Sequence, residues 1–405
     1  MHPVTAAVRD LYERFPYPAG PVTLRTGFDV RRSLSFVDAE RPDHRTPVVL
    51  DAGCGRGLGL LGMATAQPGL QFVGIDLNRT ALAEATQAAR QRGLTNVRFA
   101  EVDLETLEGL EVPDGGFDVI ISSGVLPHLV DPVAGLRRLR SALAPWGVVD
   151  LMVYAKAGRV GIERVAAEIA QQIPDGPVER RLAQARAFVA SNPFDPAHAE
   201  AARLEDVEFV DRYLHPQFVS YTLPELHALV HRAGTSALRW TDAAAWGPPE
   251  HHHPATDDVW ELARTHEARV QPRMYDLLLT HAGVKHRPLP AELACDAAGW
   301  ALNGEGQLQR GTRTLWSGQR QTGLWWQHSN RPPLPLQQGA AGIAAPFLAE
   351  IDRPFRGFEL LDHLARHGID KAIGRKLLRA LAAVDLLWCP HETDLHHHRA
   401  VPQAA

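Results

Sequence analysis

The sequence predicts an α/β protein built on a doubly wound, mostly parallel sheet. Three observations predict it. Short apolar runs recur between residues 46 and 155, three of them ending at an aspartate. A glycine-rich turn follows the first run, and segments of helical pattern separate the others. Buried parallel strands read as continuous apolar runs, and alternation with helices is the signature of crossover connections.

The elements follow in order. Val48 to Leu50 is the first strand, closed by Asp51 and the turn, and Phe72 to Ile75 is the second, closed by Asp76. Thr80 to Arg92 has helical composition, with Thr80 placed to cap its start and Gly93 to end it. Val97 to Val102 is the third strand, ending at Asp103, and Phe117 to Ile121 is the fourth. Asp131 and Pro132 form an N-cap and first-position pair. Leu136, Leu139 and Leu143 then recur at helical spacing, and Arg137, Arg138 and Arg140 take the wet face. Val148 to Val153 is the fifth strand. Residues 156–200, rich in Ala, Arg and Glu, read as a helical insertion. Leu223 to Arg232 is a further helix, Ala237 to Trp240 a short strand, and Val259 to His281 mostly helix despite Pro272.

Composition shifts near 285–290. Trp300 to Trp326 has the scattered aromatics and glycines of short antiparallel strands, and Pro332 to Pro335 is a break. Helical pieces near 346–351, 357–366 and 370–384 and a closing apolar run, Leu386 to Cys389, suggest a small winged-helix-like domain. The expected organisation is an N-terminal lid at 1–45, a cofactor domain at 46–290, a small α+β domain at 291–395 and a loose tail at 396–405. The cofactor domain is expected to fold without the residues beyond about 290.

Composition narrows the function. Of 405 residues, 45% are hydrophobic and 22% charged, which excludes wholesale disorder. A net charge of −5 argues against a nucleic-acid clamp, and the seven basic against three acidic residues between Arg353 and Arg379 read as a solvated or protein-docking surface. Three cysteines, with no CxxC spacing, make no disulfide framework and point to a reducing, cytoplasmic setting. No signal peptide and no membrane-spanning run is expected.

The chemistry sits in VVLDAGCGRG at 48–57. Gly53, Gly55 and Gly57 follow the strand at two-residue spacing, and a helix begins near Leu58. Such a turn lets backbone approach a ligand, with the free N–H groups of the next helix facing it. Asp76 can take both hydroxyls of a ribose, and Asp103 can accept from an adenine amino group. These acids and Asp51 all lie at carboxyl ends of strands, where open α/β sheets bind ligands.

VLDAGCGRG, FVGIDL, VDLE and FDVIISSGVLPHL, in that order, resemble the motif series of class I, Rossmann-like S-adenosylmethionine-dependent methyltransferases, over roughly residues 46–155. The resemblance implies the cofactor S-adenosyl-L-methionine. It places the methionine part at Asp51, Gly53, Cys54, Gly55 and Gly57, the ribose at Asp76 and Leu77, and adenine at Asp103 and Leu104. Ser122 to His128 would line the methyl-transfer site, with Pro127 replacing a more usual His. The opening LYERFPYP resembles the lid of some bacterial members, so Tyr12, Phe15 and Tyr17 are lid candidates. Tyr154 and His215 are candidates for the acceptor pocket. His128 is the candidate general base, since imidazole titrates near neutrality.

The acceptor is expected to be an N or O atom on a polypeptide side chain or a small metabolite. The stretch 211–234 with the small C-terminal domain is similar to bacterial protein methyltransferases carrying a regulatory domain. Two alternatives stand beside the enzyme reading. One is a non-catalytic cofactor-binding scaffold. The other is a nicotinamide-dependent oxidoreductase, because Gly57, Gly59 and Gly62 fit G-x-G-x-x-G. That match begins six residues after the strand ends, inside the helix rather than at the turn. The runs His251–His253 and His396–His398 read as solvated loops, and no metal is expected.

Overall fold

The computed structural model describes residues 2–18, 28–42, 45–241, 259–304, 306–314, 320–328, 334–336, 339–383 and 385–394. Both histidine runs and the expected 396–405 tail lie outside them. The chain forms two compact units, one of residues 1–25, 47–237 and 263–283, the other of 26–46, 238–262 and 284–405.

The first unit is built on strands β1 (Val48–Ala52), β2 (Gln71–Asp76), β3 (Val97–Glu101), β4 (Phe117–Ser123), β5 (Leu143–Tyr154), β6 (Thr235–Trp240) and β7 (Met274–His281). Their order is β3-β2-β1-β4-β5-β7-β6. The first five pair in parallel and β7 runs antiparallel to β5. Val49, Leu50, Phe72, Ile75, Val119 and Ile120 are almost wholly buried, as expected of strands covered by helices on both faces. Those helices are α3 (Leu58–Ala66), α4 (Arg79–Gln91), α5 (Pro132–Ala142) and α10 (Leu223–Arg232). The chain leaves β1 in opposite directions to reach β2 and β4. Its carboxyl end is therefore the switch point at which such sheets open a crevice.

Three sequence expectations need correcting here. Helix covers only the first half of residues 259–281: α11 (Val259–Val270) stops at Gln271, at φ 43°, and Pro272, and the apolar run Tyr275–Leu279 is the core of β7. A short apolar run carries no period that separates strand from helix. Helix α4 is capped by Asn78, whose side chain accepts from the Ala81 N–H, rather than by Thr80. The insertion also extends past 200. It comprises α6 (Lys156–Gln172), α7 (Val178–Ala190), α8 (Pro196–Ala202) and α9 (Asp206–Tyr213). Its core is Val165, Ile169, Leu182, Val189, Phe209 and Val210, joined by Leu11 from α1 (Pro3–Arg14).

The second unit holds α2 (Val30–Leu34), a three-stranded sheet β11-β10-β9, and a smaller sheet β12-β8-β13. The strands are β8 (Gly299–Leu302), β9 (Gly306–Thr314), β10 (Arg320–His328), β11 (Leu334–Pro335), β12 (Phe355–Arg356) and β13 (Leu387–Trp388). Three helices, α12 (Gly339–Glu350), α13 (Gly357–Arg366) and α14 (Lys371–Ala383), enclose a core of Trp300, Phe355, Leu360, Leu361 and Leu378. Helix α12 starts earlier than its sequence suggested and runs through Pro346. Residues 28–42 belong to this unit and not to a lid. Arg32 pairs with Asp385 at 3.1 Å, and Asp394 receives both Arg31 and Arg41. Arg239 meets Asp385 at 2.7 Å.

Candidate active site

The glycine turn has the conformation its residues permit. Gly53, Gly55 and Gly57 lie at φ 89°, 51° and 70°, where a side chain is strained. Gly53 and Cys54 donate their N–H groups to the carbonyl of Ile75 at 2.8 and 3.0 Å, which ties the turn to β2. A Cβ on Gly53 would stand 2.3 Å from Val125 Cγ2, so the loop after β4 closes directly on the turn. Cys54 packs over Gly74, and burial pushes its thiol well above the ordinary range, leaving a neutral space-filler. Gly59 of the dinucleotide-like pattern lies inside α3, and a Cβ there would meet open space. That position does not need glycine.

Two carboxylates converge at the strand tips. Asp76 accepts the Gly55 N–H at 2.7 Å and the Asn78 N–H at 2.9 Å, yet burial still raises its pKa. Burial, then the charge of Asp76, pushes Asp51 up to about 7. No hydrogen bond within the described residues engages the Asp51 carboxylate. Two half-buried acids with no cation paired to them among the described residues fit a ligand that brings a positive charge and hydroxyl groups. Asp103 begins the next turn, accepting the Glu105 N–H through Oδ1 and leaving Oδ2 open. Leu77 is half-buried and Leu104 buried beside these acids in sequence.

Ser122 departs from its expected place. Its side chain is fully buried and its Oγ has no partner. Strand alternation turns it inward and puts Ser123 on the exposed face. A cofactor contact from Ser122 would have to come from its backbone.

Beyond Val125 the chain makes one 3₁₀ turn, Leu126–His128, and the imidazole of His128 enters a cluster. Its ring centroid lies 3.9 Å from His215, 5.8 Å from Tyr154 and 6.4 Å from Tyr12. Gln217 fixes both histidines through its backbone. Its carbonyl accepts from His128 Nδ1 at 2.8 Å, and its N–H donates to His215 Nδ1 at 3.1 Å. A carbonyl only accepts, so His128 is the Nδ1–H tautomer with a lone pair on Nε2, 3.5 Å from the Tyr154 hydroxyl. His215 is the opposite tautomer, and its Nε2–H is buried without a partner. Burial lowers His128 to about 4, aided by Arg159, and burial with the neighbouring His128 holds His215 well below its usual value. A base titrating near neutrality is therefore not what the fold provides. His128 is already deprotonated at pH 7.

Helix α1 spans the cofactor edge and this cluster. The Tyr12 carbonyl accepts from Asn78 Nδ2 at 2.8 Å, two residues beyond Asp76. The Tyr12 hydroxyl donates to Asp211 at 2.8 Å, and its ring meets His215 at 5.5 Å. Tyr17 is 40% exposed. Its carbonyl lies 3.6 Å from a Cβ built on Gly55, and Arg56 donates to the Pro18 carbonyl. Phe15 packs against the insertion core beside Leu11. Arg159, Asp211 and Gln217 were missed as site residues. Asp211 lies in a stretch the sequence singled out, whereas Gln217 acts only through its backbone and leaves no side-chain signal.

A seven-stranded sheet with a glycine turn after β1 and acids at three successive strand tips defines the class I methyltransferase fold. Residues 43–173 match the family model described as a methyltransferase domain. An uncharacterised protein of Synechococcus sp. is 31% identical over 261 residues, 60% of this chain and 62% of that relative. The chain thus spans less than two thirds of that relative's length. The ubiquinone biosynthesis O-methyltransferase of Albidiferax ferrireducens is 34% identical over 111 residues, 26% of this chain and 42% of its own. Among solved structures, PKMT2 from Rickettsia typhi in complex with AdoHcy superposes with a TM-score of 0.64 at 16% identity, covering 93% of this chain and 78% of that one. That last likeness concerns the fold. The chain carries an S-adenosylmethionine-dependent methyltransferase domain, and the family and the glycine turn imply that cofactor. Among the described residues, no helix is long and apolar enough to cross a membrane.

Proposed function

We propose that this chain transfers the methyl group of S-adenosylmethionine to an N or O acceptor, on a polypeptide side chain or a small metabolite, placed beside His128. The observation that carries this is the packing of Val125 on Gly53. It brings the loop of His128 against the turn that would hold the methionine part of the cofactor. When bound, the cofactor supplies an electrophilic methyl on a sulfonium. Asp51 would meet its ammonium, Asp76 its ribose hydroxyls and Asp103 its adenine amino group. His128 Nε2 is the proton acceptor for a nucleophile that arrives protonated, with the Tyr154 hydroxyl as the next donor and acceptor in line. Tyr12, through α1, covers the space between and excludes water. The winged-helix-like part of the second unit is, in this reading, the acceptor-recognition module, and the compartment is the cytoplasm.

The test is incubation of the protein with methyl-labelled cofactor in a cell lysate. Label in the protein or small-molecule fraction identifies the acceptor class. His128→Gln is expected to lower turnover ~10²–10⁴-fold with cofactor affinity unchanged. No label in either fraction, with S-adenosylhomocysteine bound, would favour a non-catalytic scaffold instead.

A further inference from the structure

Arg159 is a charged residue of the acceptor cluster to which this mechanism gives no work. It stands in the first turn of α6 and is 8% exposed. Its guanidinium carbon lies 4.0 Å from the centre of the Tyr154 ring and 5.4 Å from that of Phe218. Among the described residues no hydrogen bond or ion pair engages it, and its buried Nε has no partner. Its charge is felt by His128, His215, Tyr154 and Asp211. The carboxylate it influences, Asp211, is turned to the Tyr12 hydroxyl instead.

A guanidinium largely withdrawn from water with no counter-ion is costly, and two aromatic faces return only part of that cost. The rest is what an anionic ligand would restore. The neighbourhood also says which anion. Arg212, the other cation whose charge reaches Tyr154 and Asp211, already pairs with Glu208 at 3.2 Å and Glu200 at 3.7 Å, which leaves Arg159 as the cation here without a carboxylate among the described residues. Both histidines are held neutral, and Asp211 adds negative charge nearby. A phosphate dianion needs more donors than one fork supplies, whereas a carboxylate matches the fork's two parallel N–H groups. The aromatic rings flanking the guanidinium favour a flat, partly apolar group. We propose that Arg159 anchors a carboxylate carried by the methyl acceptor, so that the acceptor is a small acid whose N or O nucleophile lies a few bonds from that carboxylate. This rests on the methyl-transfer reading of the His128 loop. The methionine carboxylate of the cofactor shares the same chemistry and is separated by experiment.

Benzoate and its neutral analogue benzamide serve as probes of the full-length protein, with and without saturating S-adenosylhomocysteine, by ligand-observed NMR titration. Benzoate is expected to bind and benzamide not. Arg159→Gln should weaken benzoate about 10-fold or more, and Arg159→Lys should restore part of it. A second arm compares S-adenosylhomocysteine with 5′-methylthioadenosine, which lacks the carboxylate. If Arg159→Gln erases the preference between these two and benzoate never binds, the carboxylate is the cofactor's own, and the acceptor assignment is overturned. If folded Arg159→Gln changes neither arm, the anion site itself is overturned. Should that variant not fold, benzoate selectivity in the native protein, kept by Arg159→Lys, decides alone. Failure of S-adenosylhomocysteine to bind at all would sink the methyltransferase reading, while the benzoate arm still reports on Arg159.

Discussion

Burial acts in opposite directions on Asp51 and His128. A carboxyl raised to about 7 binds its proton more tightly in the folded chain than in the unfolded one. Its contribution to apo stability is therefore full below pH ~4 and is lost as pH rises toward 7. An imidazole lowered to about 4 does the reverse. Its contribution is full above pH ~6.5 and is lost as pH falls toward 4. The shifts are worth roughly 4 kcal/mol at Asp51 and roughly 3 kcal/mol at His128, so in the native chain they oppose one another across one range. Apo Asp51→Asn should therefore lose stability more steeply than wild type as pH falls from 7 to 4, and His128→Gln should lose it as pH rises. Melting temperatures across that range check both. Two profiles parallel to wild type would mean the groups are not buried as charges. Asp76→Ala should cost roughly 2–4 kcal/mol of cofactor affinity by calorimetry, because it loses the ribose contacts and releases the Gly55 N–H. The three strand-tip acids were legible because topology alone dictates that ligands meet strand ends. The environment of His128 was not, since burial and a carbonyl 89 residues away set its state.

The glycine turn is a piece of geometry rather than a composition. Gly53→Ala places a methyl into Val125 at a φ of 89°, and should cost about 2–4 kcal/mol in stability and weaken cofactor binding. Adding Val125→Ala should recover the clash but not the backbone strain, so rescue should be partial. Full recovery in the double variant would show that φ at this position is not constrained. Strands β1 to β4 were legible as apolar runs beside glycine or aspartate, whereas β5 was legible only from Val148, its first residue Leu143 having the spacing of the helix before it. Strand β7 was not, because an apolar stretch of five residues reads equally as helix until its partner is known. Helix α4 announced its end through Gly93, but two side chains able to cap, Asn78 and Thr80, stood within three residues of each other, and only coordinates separate them.

At the scale of the molecule, division into units does not follow the chain. Residues 26–46 and 238–262 group with 284–405, held by backbone bonds of Phe36 and Asp38 to Arg287 and Lys285 and by ion pairs. Arg32, Arg239, Arg31 and Arg41 find their carboxylates at Asp385 and Asp394, which are 3% and 0% exposed as side chains. No sequence pattern reveals pairings over such distances, and so a boundary near 290 looked clean. Truncation there is now expected to give insoluble protein, because it strips these arginines and the apolar groups beside them of their partners. Asp385→Asn should by itself lower stability by about 3–5 kcal/mol, because it removes the charge that faces the buried Arg32 and Arg239. A soluble, cooperative, truncated chain would overturn the assignment. The same ion pairs impose an order in time. Arg31 is 363 residues ahead of Asp394, so during synthesis at ~5–20 residues per second it waits for about 20–70 s before its carboxylate leaves the ribosome. Residues 285–287 offer Phe36 and Asp38 their backbone partners earlier, but Arg31 and Arg41 must be kept from wrong carboxylates until Asp394 follows.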